Sequence, residues 1–157
     1  MASDTRGFAP IDHGRRVALV QQRLPLGSGC DALLLTDLVD VRWLTGFTGS
    51  NGQVLVRPDR AVFLTDGRYT EQSRREVSDL ERVTYLNPLR EELASYLEGV
   101  ARLGFEADEM TVAARDRFAE RLVAAVEDVC LHLPLARLRL ARPSRRHGGA
   151  PLDRLPG

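Results

Sequence analysis

The segment Trp43–Gly52, WLTGFTGSNG, places a glycine at every third position from Gly46 onward. A phosphate-binding loop is one interpretation, but the dinucleotide fingerprint runs into a helix whose N-terminus meets the phosphates. Here an apolar segment typical of a strand follows instead. We therefore predict a tight connection between a helical turn, Val41–Thr45, and a strand, with Phe47 anchored in the core.

The residues after this loop predict an antiparallel hairpin. Two apolar segments, Gln53–Val56 and Ala61–Thr65, flank the sequence RPDR at Arg57–Arg60. Proline and aspartate occupy the positions that a tight turn favours.

The elements around the hairpin predict an α/β fold with a mixed sheet. A helix over Gly14–Leu24, capped by Asp12 and ended by Pro25, precedes a short buried strand over Asp31–Thr36. After the hairpin, helices and strands alternate, which predicts parallel neighbours joined by crossovers. The predicted elements are helix Tyr69–Val77, strand Arg82–Leu86, helix Leu89–Val100, strand Leu103–Ala107, helix Thr111–Val126 and a last strand, Val129–Leu133.

A second motif, Asp66-Gly67-Arg68-Tyr69, lies at a predicted strand-to-helix junction. There Asp66 can cap the helix, Gly67 permits the turn and Arg68 can brace the carboxylate. An alternative interpretation groups Asp66 with Glu106 and Asp108 at neighbouring strand ends. Three such acids are typical of a metal-dependent phosphodiesterase or nuclease.

The composition excludes several kinds of chemistry. All 22 basic residues are Arg, so catalysis by lysine is excluded, and 22 acidic residues balance them. Cys30 and Cys130 are far apart with no second ligand nearby, so we expect buried thiols. The three histidines are too scattered to build a triad. We therefore expect no catalytic residue and no metal site in this chain.

The two ends of the chain differ from its middle. We expect a disordered leader over 1–13, one domain over 14–133, and a disordered Arg/Pro-rich tail over 134–157. The tail's composition is typical of an out-of-frame translation of a GC-rich gene. We expect no signal peptide, no membrane or nucleic-acid partner, and a cytoplasmic location.

Three segments together resemble the N-terminal domain of the creatinase and prolidase family. They are Gly46–Gly52, Thr65–Tyr69 and Phe105–Asp108 before Met110-Thr111, and they occur in the family's order and spacing. The resemblance covers Arg15–Val126 and is closest to the Xaa-Pro aminopeptidase (aminopeptidase P) branch. It implies a mixed sheet of about five to six strands with helices on both faces, a ribonuclease H-like architecture.

The resemblance also implies how function is divided in this family. A C-terminal "pita-bread" domain holds two metal ions, usually manganese, through two Asp, one His and two Glu, and cleaves the bond before proline. None of those ligands can be carried over to this sequence, so we expect no cofactor here and a truncated or frameshifted relative.

By the same resemblance, the N-terminal domain packs against other subunits and walls a neighbour's substrate entrance. The loop of Phe47, Thr48, Gly49, Ser50 and Asn51 would face that entrance, while Asp66, Gly67, Arg68 and Tyr69 would hold the fold. The implied partners are a second copy or a separate catalytic subunit, with proline-containing peptides bound only by a complete enzyme. A stand-alone peptide-binding module that uses the same loop is a further alternative.

Overall fold

The computed structural model describes residues 10–27, 29–86, 89–106, 111–113, 116, 120 and 128–132. Its helices are α1 (His13–Gly27), α2 (Leu38–Thr45), α3 (Thr70–Glu76) and α4 (Leu89–Tyr96), with a 3₁₀ turn over Gly67–Tyr69. Its strands are β1 (Ala32–Leu35), β2 (Gln53–Val56), β3 (Ala61–Asp66), β4 (Glu81–Tyr85), β5 (Arg102–Glu106) and β6 (Asp128–His132). The order along the chain confirms the predicted alternation of helices and strands.

The six strands form one mixed sheet in the order β4-β3-β2-β1-β5-β6. β2 pairs antiparallel with β1 and with β3, while the pairs β3–β4, β1–β5 and β5–β6 are parallel. β2 therefore runs against its five companions. The predicted hairpin, the central position of β1 and the parallel crossovers are all confirmed.

Alternate residues of each central strand enter opposite cores, because successive side chains of a strand point to opposite faces. Leu33 and Leu35 of β1 pack on one face with α1 and α2, whereas Ala32 and Leu34 pack on the other face with Leu93 of α4. Helices therefore cover both faces of the sheet, as predicted.

The first helix begins as expected and ends later than expected. The Asp12 carboxylate accepts the N–H of Arg15 at 2.8 Å, so it caps α1. The prediction that Pro25 ends this helix is wrong, since α1 continues to Gly27. A proline removes one backbone donor, and so close to the helix terminus the remaining bonds complete the last turn.

The fourth helix is shorter than the predicted Leu89–Val100. α4 ends at Tyr96, and a turn that includes Gly99, with a φ of 76°, completes the segment. Leu97 and Val100 are nevertheless buried with Leu93, although the last turn of this segment is not α-helical. A left-handed φ favours glycine and interrupts the helix at this point.

The remaining expectations concern Cys30, the two ends of the chain and membrane-spanning helices. Cys30 is buried, as predicted, but it is disulfide-bonded, so the expectation of a thiol at this position is wrong. The leader before residue 10, most of the helix predicted over Thr111–Val126, and the tail beyond residue 132 lie outside the described residues. Within the described ranges, no helix is both long enough and apolar enough to cross a membrane.

Candidate functional site

The glycine loop, defined as residues 46–52, begins where α2 ends. Asp37 caps the start of α2 by accepting the N–H of Asp40 at 3.0 Å. Gly46 ends the helix with a φ of 81° and donates its N–H to the carbonyl of Arg42 at 2.8 Å. This left-handed conformation is costly for a residue with a Cβ atom, so a glycine is required for the chain to leave α2 in this direction.

Phe47 is buried, with 1% of its surface exposed. Its ring centroid lies 4.7 Å from that of Phe63 and 5.6 Å from that of Tyr69, the second contact being edge-on. Phe47 is thus the core anchor that its sequence context predicted. The entrance role of this loop stays a prediction, and the loop's exposed residues, Thr48 and Ser50, are those able to meet a partner.

Gly49 lets the loop fold over the ring of Phe47. A Cβ atom at Gly49 would lie 2.3 Å from Cζ of Phe47 and 2.9 Å from Cδ1 of Tyr69. The backbone can therefore approach these two rings only where no side chain is present.

Thr48 is held by the last turn of α3. Its N–H donates to Oε2 of Glu76 at 2.7 Å, and its hydroxyl donates to Oε1 of the same carboxylate at 2.9 Å. Gln72, one helical turn before Glu76, donates to the carboxylate and to the Thr48 hydroxyl. Helix α3 thus fixes the first half of the glycine loop.

The hydroxyl groups of Ser50 and Tyr69 form a hydrogen bond with an oxygen–oxygen distance of 2.6 Å. Hydrogen bonding with Ser50 lowers the pKa of the Tyr69 hydroxyl because it favours the ionised form, and burial opposes this only in part. The contact fixes the middle of the loop to the turn that leads into α3.

Asn51 connects the end of the loop to the sheet. Its amide group donates to the carboxylate of Asp66 and to the hydroxyl of Tyr85, the second at 3.1 Å. The backbone carbonyl of Asn51 accepts a hydrogen bond from the hydroxyl of Thr65 at 2.5 Å. Residues from β3 and β4 therefore hold the point where the loop becomes β2.

Asp66 and Arg68 form an ion pair in the second motif. The Asp66 carboxylate accepts the N–H of Arg68 at 3.0 Å, capping the 3₁₀ turn, and two guanidinium hydrogen bonds, at 3.0 and 2.7 Å. These bonds from Arg68, with that from Asn51, hold the pKa of Asp66 far below its usual range. The pair therefore has the geometry of a structural brace, in which the Asp66 carboxylate already accepts hydrogen bonds from Arg68 and Asn51.

Two acids of the nuclease alternative, Asp66 and Glu106, lie within the described residues and are not brought together. Asp66 ends β3 and Glu106 ends β5, and β2 and β1 lie between these strands. Three interstrand steps of about 4.8 Å place β3 and β5 roughly 14 Å apart. Asp108 lies outside the described residues.

Glu106 instead neighbours Asp37 and Asp40, with ligand atoms all within 4.8 Å of one another. Its buried carboxylate accepts the N–H groups of Thr36 and Asp37, each at 2.8 Å, and so ties the end of β5 to the start of α2. This all-carboxylate set does not match the donors that the resemblance implies, two Asp, one His and two Glu. No other group of three or more such ligands occurs among the residues that the structure describes.

Three partners of the glycine loop were not predicted from the sequence: Gln72, Glu76 and Tyr85. The spacing of Gln72 and Glu76 puts them on one face of α3, which a helical pattern can show. Nothing in the pattern indicates that this face meets a loop 28 residues earlier in the chain.

Comparisons with known proteins agree with this architecture. The family model described as the Creatinase/Prolidase N-terminal domain matches residues 16–141. The uncharacterized peptidase YqhT of Bacillus subtilis is 36% identical over 118 residues, which is 74% of this chain and 33% of that protein. The chain thus spans about a third of the length of this curated relative.

Two solved structures share the fold. The Xaa-Pro dipeptidase from Bacillus anthracis superposes with a TM-score of 0.73 and 28% identity, over 85% of this chain and 37% of that one. The N-terminal domain of the cytoplasmic peptidase PepQ from Mycobacterium tuberculosis superposes with a TM-score of 0.67 and 36% identity, over 82% of this chain and 100% of that one. The chain therefore belongs to the Creatinase/Prolidase N-terminal domain family, whose members are parts of Xaa-Pro aminopeptidases and prolidases.

Proposed function

We propose that this chain is the non-catalytic N-terminal domain of a Xaa-Pro aminopeptidase-like metallopeptidase, which serves in oligomerisation and walls a substrate entrance. The observation that carries the proposal is the preshaped glycine loop. Thr48, Ser50 and Asn51 are each held by a side chain from outside the loop. A loop shaped before it meets a partner loses little conformational entropy on binding, which suits a fixed wall.

The chemistry of the described side chains supports a non-catalytic role. The Asp66 carboxylate is bound by Arg68 and Asn51, and that of Glu106 accepts two backbone N–H groups. Hydrolysis of the bond before proline would then be carried out by a metal-binding domain in the complete enzyme or by a separate subunit. The name of the B. anthracis relative, a Xaa-Pro dipeptidase, supports this assignment.

The same comparisons support a cytoplasmic location. The M. tuberculosis relative is the N-terminal domain of a protein described as a cytoplasmic peptidase, and all of that domain aligns with this chain. We extend that location to this protein as part of the proposal.

Two measurements on the purified chain test the proposal. Sedimentation velocity over a range of concentrations should show reversible self-association, and a Xaa-Pro dipeptide with added manganese should not be hydrolysed. Hydrolysis at a rate proportional to chain concentration would contradict the non-catalytic role. A monomer that binds a proline-containing peptide saturably, and loses this binding in Ser50→Arg while it stays folded, would indicate a peptide-binding module instead.

A further inference from the structure

Glu76 accepts both polar hydrogens of a residue 28 positions earlier in the chain. The N–H of Thr48 meets Oε2 at 2.7 Å and the hydroxyl of Thr48 meets Oε1 at 2.9 Å. A single carboxylate thus fixes the backbone direction and the side-chain rotamer of an exposed loop residue. Hydrogen bonds to an ionised acceptor are among the stronger ones in proteins.

Gln72 closes the arrangement. Its amide donates to Oγ1 of Thr48 at 3.0 Å and to Oε1 of Glu76 at 3.1 Å. The Thr48 hydroxyl therefore donates to Glu76 while it accepts from Gln72, which fixes the direction of its hydrogen. Burial by itself would raise the pKa of Glu76, but the hydrogen bonds from Thr48 and Gln72 outweigh it and lower that pKa.

The other parts of the loop are held by different elements. Ser50 is bound to Tyr69, and Asn51 is bound to Asp66 at the end of β3. Phe47 is fixed by its burial against Phe63. Thr48 lies between the core anchor and these contacts, so the geometry at Thr48 depends on α3.

We propose that Glu76 is a positioning residue for the glycine loop, and that its carboxylate sets the exposed surface that Thr48 presents. Its importance for peptide entry rests on the proposed function. Glu76 itself would touch no peptide and would act through Thr48. In this proposal the first half of the glycine loop is held in one conformation by α3 and does not move freely.

Amide hydrogen exchange of the full chain, followed residue by residue by NMR, tests this inference. In Glu76→Ala the Thr48 amide should exchange about ten- to a hundredfold faster, the loss expected for a charged acceptor. Glu76→Gln keeps a neutral acceptor and should give an intermediate rate. Core amides such as that of Leu34 should keep their wild-type rates in both variants, which separates a local effect from general unfolding.

Glu71→Ala is the matched control. Glu71 lies on the same helix, is exposed, and pairs with Arg74 at 2.6 Å. Its removal should leave the exchange of Thr48 unchanged. Equal Thr48 exchange in wild type and in both Glu76 variants would overturn the inference, as would an acceleration that the core amides share.

The inference and the proposed function can fail separately. A hybrid enzyme that carries this domain on a catalytic domain should show a changed KM in Glu76→Ala with little change in kcat. Faster exchange at Thr48 without any kinetic change would uphold Glu76 as the residue that sets the loop, and would contradict the entrance role of the loop.

Discussion

Gly49 lies directly against the ring of Phe47, so close that a Cβ atom at Gly49 would be 2.3 Å from Cζ of Phe47. The ring of Phe47 fills part of the core, and the backbone of Gly49 packs directly on this ring. Because Phe47 is buried between Phe63 and Tyr69, the ring has no free space into which it could move.

Gly49→Ala should therefore destabilise the fold, by about 1–3 kcal/mol, as other overpacking substitutions do. Urea unfolding followed by circular dichroism measures the change. Gly67→Ala is the control, since a Cβ atom at Gly67 meets nothing within 4 Å and should change stability by less than about 1 kcal/mol. Equal stabilities of the two variants would contradict the packing of the loop on Phe47.

Phe47→Ala should cost about 3–5 kcal/mol, because it removes a buried aromatic ring and leaves a cavity beside Phe63 and Tyr69. Thermal and urea unfolding give the change in stability. Val39→Ala, at a residue 67% exposed on α2, should stay within about 0.5 kcal/mol of wild type. A small effect of Phe47→Ala would show that the ring faces solvent, as an entrance residue would.

Arg57 joins the hairpin turn to the end of α4. Its guanidinium group donates to the carbonyls of Tyr96 and Glu98, both at 2.9 Å. Arg57→Met keeps the apolar stem and should cost about 1–3 kcal/mol in unfolding free energy. Arg74→Met, which breaks only an exposed pair with Glu71, should cost less than about 1 kcal/mol. A larger loss of stability in Arg74→Met than in Arg57→Met would contradict the stabilising role of the hydrogen bonds from Arg57.

Asp66 should make the stability of the fold depend on pH in the acidic range. Its pKa is lower in the folded chain because Arg68 and Asn51 bind the ionised form. The unfolded chain therefore binds more protons, and the stabilisation present above about pH 4 is lost as the pH falls towards the folded-state pKa.

Asp66→Asn tests this dependence. The variant should be less stable than wild type at neutral pH, and the difference should narrow as the pH is lowered from about 5 to about 2. Chemical unfolding at a series of pH values gives the curve. A difference that stays constant over that range would show that the Asp66 charge contributes nothing to the brace.

Local patterns in the sequence predicted most of the fold. Two apolar segments and a Pro-Asp turn were enough to predict the hairpin. The central position of β1 was predicted from its continuous apolar run, Ala32–Leu35. The continuation of α1 past Pro25 was missed because a proline near the end of a helix ends it in some cases and only weakens it in others.

The partners of the glycine loop were harder to predict, for a physical reason. Phe47 was predicted to be a core anchor because a large aromatic residue within a polar loop is expected to be buried. Glu76 and Tyr85 reach the loop across 28 and 34 positions in the chain, and such contacts depend on how α3 and β4 pack in three dimensions. Asp66 and Glu106 looked equivalent as acids at strand ends, and only the strand order shows that two strands separate them.

The kinetics of a hybrid enzyme would show whether the glycine loop lines a substrate entrance. In this hybrid, residues 10–132 replace the N-terminal domain of the B. anthracis Xaa-Pro dipeptidase. Ser50→Arg places a bulky charge on the exposed face of the glycine loop, and Asp59→Arg places the same charge on the turn between β2 and β3, at the other end of these strands. If the loop walls an entrance, Ser50→Arg should raise KM for a Xaa-Pro dipeptide at least about fivefold, near 1 kcal/mol, while Asp59→Arg leaves it unchanged. Identical KM and kcat values for the two variants in an active, assembled hybrid would contradict the account.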